Sequence, residues 1–439
     1  MNFLESDFLN PIRNSNLIYY GPAYAATGYG SASRYYLIGL IEAGVNVKVI
    51  PFGLSDKNKI NKKYVRVLEK AERTKLNPKL QNIVILHSTP TDWKNINVKG
   101  ADYIIGMTIF ETNAIPSRWA KICNESWIDE IWLPSKFNIN TFSKSGVYKK
   151  KLRLIHYCID TTRYKPTNAR NKNKKFRFTY IADLSPRKNL PLLLRAFSEE
   201  FKPNENVELF IQTTSDSKGL IDNFMKDNIN LLKNRDNILI NTTKISESKI
   251  IKLLGSSNVY ISVDRANGWG MPCMEAMALG TLATTVNWSG STEFMFKSNS
   301  LLIEPTGLGV VDYDSALNQP YYIGQKWATI KIKTIRDTLR KAYSKWDNLK
   351  DIREAGRNDV VNILDTKIVV KEIIDRLNHI NERKRNFQKT VIYMDPVKMA
   401  INQAVILLGI QLYYFKTYKS LRLTRRILSR WMRLKPIFY

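Results

Sequence analysis

Asn267 and Glu275 bracket the run NGWGMPCME, eight positions apart, with Gly268, Trp269, Gly270 and Met271 between them. The two glycines let a backbone approach a ligand closely and offer it N–H groups. The amide can both donate and accept hydrogen bonds, whereas the carboxylate only accepts. A helix is expected to open near Pro272, where proline is pre-organised for a first turn, and to stop at Gly280. Glu275 would then lie in the first turn, where an acid also complements the helix dipole without any ligand. A second loop, TGYGSASR, holds Gly28 and Gly30 ahead of a helix and presents N–H groups to an anion. It lacks a third glycine at Ser33 and an acid near Val49 to Phe52, so it is a poor dinucleotide-binding fingerprint.

Both loops need strands and helices to hold them. NLIYY, the glycine loop, RYYLIGLIEAG and VNVKVIPF read as strand, loop, helix and strand, a βαβ unit. NIVILH, DYIIGMTIF and EIWLPS continue an α/β pattern with a mainly parallel sheet, and LRLIHYCID reads as one more strand. KPTNARNKNKK, residues 165–175, is polar and basic without apolar period, and reads as a linker. The alternation then restarts with FRFTYIADL, VELFIQTT, NILINTT, NVYISVD and LATTV, separated by helical stretches, one of them near 218–233. From about 331 to 384 the chain reads mostly helical. The expectation is α/β, with two doubly wound, Rossmann-like domains over 1–165 and 166–385 and a ligand cleft between them.

The chain has 439 residues and a formal net charge of +29, from 68 Lys and Arg against 39 Asp and Glu. That excess suits a polyanion, either an anionic membrane face or nucleic acid. Residues 386–439 read as a basic helical tail. Within it, VKMAINQAVILLGIQLYYF is marginal for a membrane span, and KTYKSLRLTRRILSRWMRLK interleaves cations with Trp431, Leu421 and Leu428. The tail therefore reads as a helix lying on an anionic membrane surface through residues 397–439, with a helix packed on the protein body behind a solvated basic face as one alternative and nucleic acid as the lesser one. Three scattered cysteines and three histidines in no ligand pattern indicate neither a disulfide framework nor a zinc site, and the acidic N-terminus, short of apolar residues, is not expected to be a secretory signal. A cytoplasmic protein, peripheral to a membrane at most, is expected.

NGWGMPCMEAMALG and TTVNWSGSTEF resemble the donor-site signature of the family-4 retaining glycosyltransferases and the loop that follows it. RKNLPLLLRAF is similar to their phosphate-binding loop and helix. Residues 107–147 and YYIGQKWATI resemble segments of one branch, so the likeness runs from about 15 to 380. It implies GT-B architecture, a nucleotide-sugar donor, a glycan, lipid or protein acceptor, and transfer with retention. It also implies departure of the leaving phosphate on the front face, with no protein nucleophile, metal or cofactor.

On matching positions, Glu275 would bind the donor ribose, and Arg187 and Lys188 the diphosphate. Gly268 to Met271 would offer backbone N–H groups, and Thr292 and Glu293 would lie in a further donor-contacting loop. Two positions depart from the family. Asn267 stands where the first acid of the signature belongs, and Asp183 where many members carry an arginine. His87 and Glu111 end strands expected to face the cleft and join Asn267 as candidate catalytic residues. The amide at Asn267 motivates an alternative, a non-catalytic sugar- or nucleotide-binding protein. The basic charge motivates another, a glycosyltransferase or binder acting on nucleic acid.

Overall fold

Runs such as IVIL and YIIGM form strands because they are apolar on both faces, the pattern of a parallel sheet covered on both sides. The computed structural model describes residues 15–166, 175–213, 226 and 235–382. In the first domain, β1 (Ser15–Gly21), β2 (Val47–Pro51), β3 (Gln81–His87), β4 (Tyr103–Met107), β5 (Glu130–Leu133) and β6 (Leu152–Leu154) form one sheet. Its order is β2-β1-β3-β4-β5-β6, and every pairing is parallel. In the second, β7 (Phe176–Ile181), β8 (Val207–Gln212), β9 (Ile238–Asn241), β10 (Val259–Ile261), β11 (Leu282–Val286) and β12 (Leu301–Ile303) form another. That sheet, ordered β12-β11-β10-β7-β8-β9, is also parallel throughout. Two Rossmann-like domains therefore face each other, as the sequence leads one to expect.

Three features differ from the sequence reading. The segment read as a strand over 152–160 joins the sheet only over Leu152–Leu154, and its remainder leads toward the second domain with a single bridge at Ile159. After β12 an antiparallel hairpin, β13 (Gly307–Val310) and β14 (Lys326–Thr329), carries residues that pack into the first domain's core. Val311, Ala316, Tyr322 and Trp327 share that core with Phe110 and Trp119. The helix Thr366–Asn381, expected with the second domain, returns to the first. A methyl on Gly39 would lie 2.4 Å from Thr366 Cγ2, and Arg376 is ion-paired with Glu130. The return is marked by the parallel bridge of Ile159 with Asp365.

Most of the linker, the helical stretch near 218–233 and the basic tail lie outside the described residues. No helix among the described residues is long and apolar enough to cross a membrane.

Candidate functional site

The chain leaves β10 and turns into the helix Met271–Ala278 through the glycine-rich segment. Gly270 takes φ 92°, a left-handed conformation that a β-carbon disfavours. Gly268 is required by closeness instead. A methyl there would lie 2.3 Å from Ile109 Cγ1 of the first domain. Its carbonyl accepts from Asn138 Nδ2 at 3.3 Å. A methyl on Gly28 would stand 3.4 Å from Met271 Cγ, so the two glycine loops meet across the domain boundary. Gly30 packs tightly against the Ala25 carbonyl, while Thr27 caps its helix by accepting from Gly30 N at 3.1 Å. Trp269 is buried, with its ring 4.8 Å from Phe294 and 5.8 Å from Tyr157.

Asn267 does not reach into open space. It is 4% exposed, and its Oδ1 accepts from Ser291 N at 3.1 Å. Its Nδ2 lies 3.4 Å from Ser291 Oγ, and its carbonyl accepts from Gly290 N at 2.9 Å. The amide thus binds the glycine turn to the loop after β11. Within that loop, Thr292 Oγ1 donates to the Ser289 carbonyl at 2.7 Å. The Glu293 carboxylate accepts from Lys136 N at 2.6 Å and contacts His156 Nε2 at 3.1 Å, both on the first domain. Burial opposes ionisation of Glu293, but His156 and the Lys136 amide hold its carboxyl below the usual range.

Arg187 and Lys188 occupy a short turn after β7. The backbone couples this turn to the glycine segment. Arg187 Nη1 donates to the Ala266 carbonyl at 2.7 Å, and Arg265 N donates to the Arg187 carbonyl at 2.8 Å. Arg187 Nε and Ser185 Oγ are buried without a hydrogen-bond partner among the described residues. Lys188 Nζ pairs with Asp264 at 2.6 Å, and Asp264 also accepts from Tyr180 Oη at 2.7 Å. Burial disfavours the Arg187 charge, yet Glu111 in the other domain, with Tyr322 and Asp264, keeps that guanidinium firmly protonated. Asp183 is exposed on the same turn; Lys188 holds its carboxyl below the usual range against the effect of desolvation.

Glu275 lies beyond the helix's first turn, which contains no acid, so the dipole argument does not explain it. It is 8% exposed, and burial together with nearby Glu247 pushes its carboxyl up to about 8. Tyr164 Oη donates to Glu275 Oε1 at 3.3 Å, and Tyr35 Oη donates to Tyr164 Oη at 2.9 Å. Glu247 pairs with Arg163 at 2.7 Å and with Arg34 at 4.0 Å.

His87 ends β3 as expected and is fully buried. Its Nδ1 lies 2.6 Å from Tyr19 Oη and its Nε2 lies 3.3 Å from Tyr157 Oη. Burial depresses its pKa to about 3, so it is neutral and both ring nitrogens are engaged. Glu111, half-buried beyond β4, accepts from Tyr322 Oη at 3.0 Å. The fold thus brings Glu111, Arg187, Lys188 and the glycine turn together, and His87 is linked to that turn through Tyr157, whose ring lies 5.8 Å from Trp269.

Sequence reasoning missed Tyr164, His156, Asp264 and Tyr322. Asp264 could have been found as the acid that closes an apolar strand directly before the glycine turn. The other three carry no local signal, because their partners lie more than a hundred residues away. No cluster of metal-ligating side chains occurs among the described residues.

Residues 161–316 match the family described as glycosyl transferases group 1. That span contains the Arg187 turn, the glycine segment, Glu275 and Glu293. A glycosyltransferase from Rickettsia africae superposes with a TM-score of 0.63 at 16% identity, covering 85% of this chain and 100% of that one. The Anabaena protein Alr3699/HepE, solved with UDP and glucose, gives 0.62 at 9% identity, covering 83% and 100%. Sucrose-phosphate synthase from Thermosynechococcus elongatus gives 0.60 at 11%, covering 83% and 99%. The fold is GT-B. At these identities the solved structures speak to architecture, and the matched span relates the second domain to the group 1 transferases. No curated protein sequence matches the chain significantly.

Proposed function

We propose that the protein is a retaining glycosyltransferase that moves a sugar from a nucleotide-sugar donor to a glycan, lipid or protein acceptor without a metal. The observation that carries this reading is the pairing of the Arg187–Lys188 turn with the glycine segment. The two are joined by backbone and side-chain hydrogen bonds of 2.7 and 2.8 Å within the span matched to the family. A diphosphate placed there meets the cations Arg187 and Lys188, the latter shared with Asp264, together with Arg187 Nε and the Ser185 hydroxyl, which have no partner among the described residues. Fixed cations beside a leaving nucleoside diphosphate stabilise the charge it gains in the transition state, and need no reorganisation at that moment. The backbone of Gly268 to Met271 then faces sugar and phosphate, and Glu275 takes the ribose hydroxyls. Glu111, on the first domain beside Arg187, is the candidate to orient the acceptor or contact the donor sugar. UDP-sugars are the first donors to test, given the Anabaena structure that holds UDP and glucose.

A second reading is favoured by Asn267, whose amide is already engaged with Ser291. A protein that binds a sugar nucleotide without turning it over would suit that arrangement. One experiment separates the two. UDP-, GDP- and ADP-sugars are supplied to the full chain, and both thermal shift and donor consumption are followed. Turnover that falls at least tenfold in Glu275→Ala and Lys188→Ala supports the enzyme. Binding without turnover supports the second reading, and wild-type rates in both variants would sink the site assignment.

A further inference from the structure

We infer that Tyr164, backed by Tyr35, is the positioning residue that aims the Glu275 carboxyl, and so ties recognition of a nucleotide's ribose to the seating of the first domain. The inference rests on the reading that Glu275 takes the ribose hydroxyls.

Glu275 is a buried carboxyl whose hydrogen bond among the described residues comes from Tyr164 Oη alone. Neither of the two nearby cations bonds to it: Arg163 and Arg34 are ion-paired with Glu247 and act on Glu275 only through space. What fixes the plane of the Glu275 carboxyl is therefore a single phenol. Tyr164 donates to Oε1, which leaves Oε2 free for a ligand hydroxyl. A carboxylate that reads two vicinal hydroxyls must present its oxygens in one plane. An inner hydrogen bond to one oxygen supplies that constraint at no cost to the other.

Tyr164 is itself held on three sides. It is fully buried, its Oη accepts from Tyr35 Oη at 2.9 Å, and its carbonyl accepts from Arg357 Nη1 at 2.6 Å. Tyr35 belongs to the first domain's helix Gly28–Glu42, the one opened by the glycine loop. Glu275 belongs to the second domain. The tyrosine pair thus carries the first domain's position onto a carboxyl in the other domain. Tyr35 Oη also lies 3.3 Å from Glu247, so its single proton has two acceptors, and commitment to Tyr164 leaves Tyr164's own proton for Glu275.

The test measures binding of UDP, GDP and ADP to the full chain by calorimetry, each against its 2′-deoxy counterpart. The variants are Tyr164→Phe, Tyr35→Phe and Glu275→Gln. A hydrogen bond to a charged group contributes about 1.5–3 kcal/mol, which corresponds to a ribose preference of roughly tenfold or more in the native chain. Tyr164→Phe is expected to reduce that preference to about threefold or less while leaving the 2′-deoxy nucleotide's affinity nearly unchanged, a pattern that a general loss of structure does not produce. Tyr35→Phe should reduce it in the same direction by a smaller factor, and serves alone if Tyr164→Phe does not fold. A native preference abolished by Glu275→Gln but retained by both phenylalanine variants overturns the inference while the ribose role stands. No nucleotide binding by the native chain, or a preference indifferent to Glu275→Gln, overturns the underlying reading and the inference with it.

Discussion

Tyr322 of the second domain donates a 3.0 Å hydrogen bond to Glu111 of the first. The contact is one of a set. Asn113 N donates to the Lys326 carbonyl at 3.2 Å, Lys326 N returns the bond to Asn113 Oδ1 at 2.6 Å, and Thr112 meets Gln325. The segment after β13 therefore straps the end of β4, and it does so at the carboxylate that faces Arg187.

Removing either partner should separate strap from charge. Tyr322→Phe loses a hydrogen bond to a carboxylate and is expected to destabilise by about 1–2 kcal/mol. Glu111→Ala loses that bond and also the negative charge beside Arg187, so it should cost more. Thermal unfolding ranks the two variants. Equal midpoints would show that Arg187 draws nothing from Glu111.

His87 should behave as a structural residue. With both nitrogens engaged by Tyr19 and Tyr157, His87→Gln is expected to keep transfer within about threefold of the native rate while lowering stability by roughly 1–3 kcal/mol. The native protein carries a second signature of this histidine. Its folded pKa, about 3, lies below the ordinary histidine value, so the unfolded state binds a proton first on acidification. Stability is fully present above about pH 6.5 and falls as pH drops toward 3, by up to roughly 1.4 kcal/mol per pH unit from this group. Urea unfolding at pH 7, 5.5 and 4.5 should show a shallower fall in His87→Gln; parallel curves would remove the argument.

Asn267→Ala should loosen the loop after β11 more than it changes the helix that follows. The substitution leaves Ser291 N without its acceptor in a buried position, which costs about 1–3 kcal/mol. Hydrogen exchange should then quicken at Gly290 and Ser291 and stay unchanged within Met271–Ala278. Uniform quickening across both segments would mean that the amide supports the whole domain rather than this joint.

The two sheets were legible because their strands are unbroken apolar runs separated by helical period, a signal contained within each segment. The glycine turn and Arg187–Lys188 were legible for a similar reason, since their chemistry is local. The burial of His87 was not, because the cage around it comes from Tyr19, Tyr29, Tyr36 and Tyr157, scattered over the first domain. The helix opens at Met271, one residue before the Pro272 start that the sequence leads one to expect, and that single residue moves Glu275 out of the first turn. A first-turn acid has a bland dipole explanation, whereas a second-turn acid buried against Tyr164 has none. The return of the helix Thr366–Asn381 to the first domain depends on Arg376 meeting Glu130 and on Gly39 admitting Thr366, pairings that no periodicity reveals.

Glu275 gives the sharpest pH dependence. Its folded carboxyl titrates near 8, raised first by burial and then by Glu247, against the opposing pulls of Tyr164, Arg163 and Arg34. An unfolded glutamate titrates near about 4.3. Between those values the folded state holds a proton that the unfolded state has released, so the slope of unfolding free energy with pH is negative. This contribution is fully present below about pH 4.3 and is lost as pH rises through 8, amounting to a few kcal/mol at most. Glu275→Gln has no such proton, so its stability should decline less than the native protein's between pH 5 and 8. A nucleotide whose ribose hydroxyls donate to Glu275 favours the ionised carboxylate, and its binding at pH 7 should release a proton. Calorimetric binding enthalpy at pH 7 should therefore vary with the ionisation enthalpy of the buffer for the native chain, and vary less for Glu275→Gln. The same buffer dependence in both proteins would place the titrating group elsewhere.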